Sequence, residues 1–127
     1  MSNFQAVYYR DPDGVEPVSD FIDGLNVKRR VALDNQIDRL NLLSKIMPHL
    51  PFPHSSQVEG ELRELRCHFG KEQYRVLYRR SGNLLVLLHI FRKDSGKLPE
   101  AEKETGRARW GDFKSRMDAT PRRPPRP

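Results

Sequence analysis

Six residues in the second half of the chain could bind an anion or move a proton: the cations Arg66, Arg75, Arg92 and Lys93, and the acid–base candidates Glu64 and His68. A guanidinium donates bidentate hydrogen bonds to phosphate oxygens and keeps its charge at any ordinary pH. Several such groups fixed in one place stabilise negative charge as it develops on a reacting phosphorus. An imidazole titrates near pH 6.5, where proton transfer is efficient, so His68 is a candidate acid or base, and Glu64 is another. The alternative for Arg66 and Arg75 is a solvated sheet face paired with Glu61, Glu64 or Glu72. The alternative for Arg92 and Lys93 is an ordinary charged strand end.

Three consecutive strands are expected to position these groups. Leu62 to Phe69, Gln73 to Arg80 and Leu84 to Phe91 carry strand composition, and Gly70-Lys71-Glu72 and Ser81-Gly82-Asn83 are hairpin-length connectors. In the first two strands Leu65, Cys67, Phe69 and Tyr74, Val76, Tyr78 alternate with Arg66, His68 and Arg75, Arg79. That places Arg66 and Arg75 on one face, across a strand spacing of about 5 Å. The third strand is apolar at nearly every position and is expected to lie centrally, covered on both sides. His89 within it reads as a buried structural histidine more readily than as an acid or base.

Upstream, Phe4 to Arg10 reads as a short strand and Asp11 to Gly14 as a turn. Pro17 suits the first position of a helix carrying Val18, Phe21, Ile22 and Leu25. A second helix is expected from about Val27 to Met47, on the stripe Val31, Leu33, Ile37, Leu40, Leu43 and Met47. Pro48 to Gly60 reads as a loop. Pro99 opens a last helix to about Met117, with Trp110 as a packing residue. The fold class expected is α+β: a twisted antiparallel sheet of about four strands, two N-terminal helices and one C-terminal helix. Residues 1–118 are expected to form one domain and 119–127 a disordered basic, proline-rich tail.

With 127 residues, 36% of them hydrophobic and 31% charged, the chain suits one domain with a modest core. Its formal net charge is +6. Arg122, Arg123 and Arg126 contribute half of that, leaving the body at about +3, so placement of the arginines says more than net charge. Cys67 is the only cysteine, which excludes an intramolecular disulfide and suits a reducing cytoplasm. His49 and His54 have no partner at metal-ligand spacing, so no metal site or other cofactor is expected. No apolar run approaches the ~18 residues of a membrane span, and no leader is evident. Tyr8, Tyr9, Tyr74 and Tyr78 are candidates for stacking on bases but read more simply as sheet core.

The motifs Glu64-Leu65-Arg66, Tyr74-Arg75-Val76-Leu77-Tyr78, Leu87-Leu88-His89-Ile90-Phe91-Arg92-Lys93, Gly96-Lys97-Leu98-Pro99 and Ala108-Arg109 with Asp112-Phe113 follow in that order. Over about Phe4 to Met117 this resembles the RelE/ParE superfamily of toxin domains, nearest its phage-derived HigB-like branch. Ser95 stands where that pattern has a threonine, Leu98 replaces a second, and Asp94 adds a negative charge. The resemblance implies a metal-independent endoribonuclease acting on messenger RNA, often in the ribosome. The RNA 2′-hydroxyl would attack its own phosphodiester and leave a 2′,3′-cyclic phosphate. Arg66, Arg75, Lys93 and Arg92 would hold the phosphate, His68 or Glu64 would move protons, and Lys97 and Arg79 would add substrate contacts. It also implies a cognate antitoxin, commonly a helix-turn-helix protein of HigA type. Two other readings stay open: a ParE-like inhibitor of DNA gyrase, since one fold hosts both activities, and a catalytically silent binding module of phage origin.

Overall fold

The structure, a computed structural model, describes residues 3–119. Strand β1 (Gln5–Tyr8) leads to helices α1 (Pro17–Asp23) and α2 (Val27–Asp38) and a 3-10 turn (Arg39–Leu42). Strands β2 (Ser55–Glu59), β3 (Leu62–Phe69), β4 (Glu72–Ser81) and β5 (Leu84–Lys93) follow, and α3 (Glu100–Ala119) is the last element of the described residues. The strands form one sheet in the order β1-β5-β4-β3-β2.

The β3–β4–β5 meander is as expected. Its turns are tighter: Phe69 pairs with Glu72, and Ser81 with Leu84, so each connection has two residues. Gly70 (φ 59°) and Gly82 (φ 60°) supply the left-handed conformation such short turns demand. β5 lies between β1 and β4, and Leu85 to Leu88 are buried.

Three expectations are corrected. The sheet has five strands and is mixed, because β1 pairs parallel to β5, with Gln5 opposite Leu84 and Tyr8 opposite Leu87. A parallel pair needs a crossover, which here is the whole α1–β4 segment, and a local pattern carries no signal for it. The expected loop Pro48–Gly60 contains β2, antiparallel to β3. Ser55-Ser56-Gln57-Val58-Glu59 has almost no apolar alternation. Its buried anchor is Ser55, whose Oγ lies 2.9 Å from the Tyr78 hydroxyl. The second helix stops at Asp38, not Met47. Leu40 and Leu43 still reach the core, but from the 3-10 turn and the extended residue after it. Val31 and Met47, expected on the apolar stripe, are 51% and 53% exposed. The tail expected to be disordered lies, from residue 120 on, outside the described residues.

Helices α1 and α2 pack on one face of the sheet, over Leu65, Tyr74, Val76, Tyr78, Leu85 and Leu87. A latch at the far end joins α2 to the β3–β4 turn. Arg29 donates from Nε to Glu72 at 2.9 Å and lies over the Phe69 ring. That contact, with the Tyr74 hydroxyl, brings the Glu72 carboxyl down to about 2. Helix α3 packs on the other face, where Trp110 and Phe113 join Leu62, Leu77, Val86, Leu88 and Phe91. Gly106 permits the close approach: a Cβ there would lie 3.1 Å from Leu77 Cδ1. No helix among the described residues is long and apolar enough to cross a membrane.

Candidate functional site: an arginine groove at the turn end of the β3–β4 hairpin

Leu62 and Leu77 lie under α3, so residues of the same parity on β3 and β4 share their face. These are Glu64, Arg66 and His68 on β3 and Gln73, Arg75 and Arg79 on β4. Arg66 is directly opposite Arg75 in the register. Two guanidinium groups side by side repel, and Glu64 resolves the conflict: its Oε1 is 3.0 Å from Arg75 Nε and 3.6 Å from Arg66 Nε.

The two arginines differ in access. The Arg66 side chain is 31% exposed, whereas that of Arg75 is 2% exposed. Arg75 donates to the Tyr74 carbonyl (3.2 Å) and to Gln73 Oε1 (3.0 Å). Its Nε is near Glu64 but not aimed for a hydrogen bond, and it has no other partner among the described residues. Burial pulls the Arg75 guanidinium below its ordinary value; Glu64 offsets part of that and Arg66 adds to it. The sequence places Arg75 on a polar strand face. The structure turns it into a buried brace beneath that face, because β4 is an interior strand.

A groove runs past this pair on both sides. On one side is a cavity of about 390 Å³, where Arg66 and Arg75 are joined by His68, Lys71 and His54. On the other is one of about 470 Å³, where Arg92, Lys93 and Ser95 join them. Lys93 is tied down by the carbonyls of Asp94 and Gly96. Arg92 is largely exposed, 4.0 Å from Glu72. Asp94 lines the same cavity, so the rim carries a negative charge as well.

Arg66, His68, Arg75, Arg92 and Lys93 therefore line two adjoining cavities that share Arg66 and Arg75, with Glu64 enclosed between those two arginines. Arg79 stands apart from them, under α3, with its guanidinium 4.5 Å from the Trp110 ring centre and 3.0 Å from Glu61. Lys97 is exposed and lines neither cavity. Tyr9, Tyr74 and Tyr78 are buried. Burial pushes the Cys67 thiol up to about 12, which leaves it a packing residue rather than a nucleophile. No group of three or more His, Cys, Asp or Glu that could hold a metal occurs among the described residues.

Two histidines occupy places that the sequence did not assign. His54 ends the proline-rich loop; its Nδ1 is 3.0 Å from an Arg39 nitrogen, its carbonyl accepts from the Arg66 backbone N–H at 2.8 Å, and both residues line the same cavity. Nothing periodic in that loop signals the placement. His89 is re-aimed by a β-bulge. Leu77 pairs with His89 but Tyr78 with Leu87, so Leu88 is an extra residue. Leu85 and Leu87 face α1 and α2, and strict alternation would send His89 there too. Instead it turns toward α3, where Glu102 Oε2 is 3.0 Å from its Nε2 and an Arg109 nitrogen is 3.1 Å from its Nδ1. A guanidinium only donates, so Nδ1 accepts and Nε2 carries the proton given to Glu102. Burial lowers the His89 imidazole, more than Glu102 raises it. The result is a neutral tie between α3 and the strand beside Arg75.

No curated protein matches the chain. Residues 20–111, spanning α1 to the middle of α3 and holding every group in the groove, match the family model described as phage derived protein Gp49-like (DUF891). That family is one of RelE-like toxins, in keeping with an α+β sheet of this topology, and a toxin family implies an antitoxin partner in general. With well over half of its length matched, the chain belongs to the Gp49-like phage-derived family.

Proposed function

We propose that the chain is a metal-independent endoribonuclease toxin of the HigB-like branch. It cleaves messenger RNA, in the ribosome by the family's habit, and a helix-turn-helix antitoxin of HigA type neutralises it in the cytoplasm. The observation that carries this reading is Arg66 opposite Arg75 with Glu64 between them, in a groove whose other cations are Lys71, Arg92 and Lys93.

In the reaction, the 2′-oxygen bonds to the adjacent phosphorus while the bond to the 5′-oxygen breaks. The 2′-hydroxyl proton passes to a base, and the leaving 5′-oxygen takes one from an acid. Two negative charges gather on the non-bridging oxygens in between. Arg66 and Arg92, the more exposed arginines, would grip those oxygens, with Lys71 and the carbonyl-held Lys93 beside them. Arg75 would act from beneath, holding Glu64 and through it the angle of Arg66. Glu64 is 12% exposed and its Oε1 is engaged by both guanidiniums, which suits a brace. His68, exposed in the same cavity as Arg66, suits proton transfer better. Arg79 and Lys97 would at most assist a longer RNA from outside the groove.

Cleavage of an RNA substrate by purified protein in excess chelator, with 2′,3′-cyclic phosphate ends, is the test. Arg66→Ala should slow it about 100- to 1,000-fold, the usual cost of one donor to a developing oxyanion. Activity that vanishes with chelator and returns with magnesium or manganese would overturn the mechanism. A folded protein that leaves RNA intact but blocks gyrase supercoiling would replace it with the ParE-like reading.

A further inference from the structure

At the opposite end of the β3–β4 hairpin, on the α1–α2 face, lies a second concave cationic site. It is a cavity of about 360 Å³ whose walls include Pro48, His49, Gln57, Arg63, Tyr78 and Arg80. Arg63 sits opposite Tyr78 in the register, and Arg80 is two residues further along the same strand. Such diagonal neighbours on one face are about 7–8 Å apart at their side-chain roots, within reach of one shared ligand for side chains as long as arginine.

Both guanidiniums are held in place from one side. Arg63 donates from Nε and Nη2 to the buried Ser55 Oγ, at 3.3 and 3.2 Å. Arg80 donates from Nε to the Gly82 carbonyl at 2.7 Å, and its plane lies 4.4 Å from the Phe4 ring centre. Yet neither has a carboxylate within ion-pair distance among the described residues. Arg66, Arg75, Arg79 and Arg92 on the same sheet all do. The one acid at the rim, Glu61, is taken by Arg79 at 3.0 Å. Behind partial burial as the larger cause, these same two arginines hold the His49 imidazole below its ordinary value, so their charge reaches into the shared space.

Two oriented, uncompensated guanidiniums over one cavity fit the tetrahedral oxygens of a phosphate, each offering a forked pair of donors. We propose that Arg63 and Arg80 form a second anion site, which binds the phosphate of a nucleotide unit, in an RNA backbone or free. The cavity exceeds a bare phosphate and leaves room for an attached sugar beside Pro48 and His49. The site shares no residue with the arginine groove, so it stands whatever reaction the other face performs.

The His49 imidazole is the reporter. Its NMR titration in the full chain should move upward, toward pH 6.5, when inorganic phosphate, a ribonucleoside monophosphate or a short single-stranded RNA neutralises the two arginines. The shift should saturate, should be lost in Arg80→Gln, and should persist in Arg66→Ala. Arg80→Gln is the clean variant, since it leaves the Ser55–Tyr78–Arg63 bonds untouched; Arg63→Gln, checked for folding by thermal melt, should weaken binding at least tenfold. RNA acting at lower concentration than the mononucleotide identifies a backbone phosphate, and the reverse order a free nucleotide. Absence of a saturable His49 shift with all three probes, or an unchanged shift in folded Arg80→Gln, overturns the proposal.

Discussion

The two faces of the sheet bury their residues by different means. Toward α1 and α2 the surface is closed by Phe4, Val18, Leu33, Leu40, Leu65 and Leu87, none more than 2% exposed. Toward α3 the same strands are apolar only where the helix lies, at Leu62, Leu77, Val86 and Leu88. Beyond it, burial continues with charge: Arg75 and Glu64 are as enclosed as core residues, and each depends on the other. The helix-covered part of the apolar face is stabilised by exclusion of water and leaves a ligand only its uncovered end, at Arg63 and Arg80. A charged face costs desolvation that only its partners offset, and it keeps a groove lined with donors. The surface under α1 and α2 therefore carries stability, while the charged surface beyond α3 can carry chemistry.

That contrast can be broken at several points. Leu65→Ala, on the closed face, should lower unfolding free energy by about 2–5 kcal/mol, the usual cost of emptying a filled core site. Denaturant unfolding measures it, and a loss near zero would mean that face is not close-packed.

Arg75→Ala should act on both properties. RNA cleavage should fall about 100-fold, the cost of a misplaced Arg66. Stability should fall by about 1–3 kcal/mol, because Glu64 is left enclosed with only the longer Arg66 contact. Adding Glu64→Gln should restore much of the stability and none of the rate. Restored cleavage in the double variant would mean Arg75 only neutralises Glu64 and has no further part in the groove.

Gly106→Leu should lift α3 from Leu77, where even a Cβ is tight, and cost about 1–3 kcal/mol. The near-ultraviolet signal of Trp110 should change with it. An undisturbed spectrum would show that α3 tolerates a looser seat than the 3.1 Å approach implies.

The smallest effect concerns pH. Burial keeps His89 neutral in the folded chain, while the unfolded chain takes up a proton near pH 6.5. The unfolded state thus binds more protons below that pH, so stability is intact above about 6.5 and declines as pH falls further. In His89→Gln that component of the decline should vanish. Parallel melts from pH 7.5 to 5.5 compare the two, and identical slopes would remove His89 from the account.

Much of the open face was legible before any coordinates. Two strands joined by a glycine turn, each alternating apolar and charged residues, force Arg66 and Arg75 onto one side, and the parity of Glu64 and His68 follows. Lys93 and Arg92 follow too, since β5 must end near the β3–β4 turn in a meander. Arg79 shares that parity, yet α3 covers it with Trp110, and no strand pattern tells which part of a face a distant helix will occupy.

The sequence by itself determined the periodic parts: the three-stranded meander, the existence of α1 and α2, and the side of the sheet that Arg66 and Arg75 share. These follow from contacts a few residues apart, where alternation and turn chemistry leave little choice. Only the tertiary structure decided the rest. β2 exists because β3 offers it an edge, not because Ser55-Ser56-Gln57 favours a strand. β1 is parallel because the chain crosses over before returning. The bulge at Leu88 turns His89 to the opposite face, and the loop that ends in His54 reaches the groove only once β2 is paired. Arg75 is buried because strands on both sides and Glu64 enclose it, and enclosure sums many distant neighbours that no local window contains.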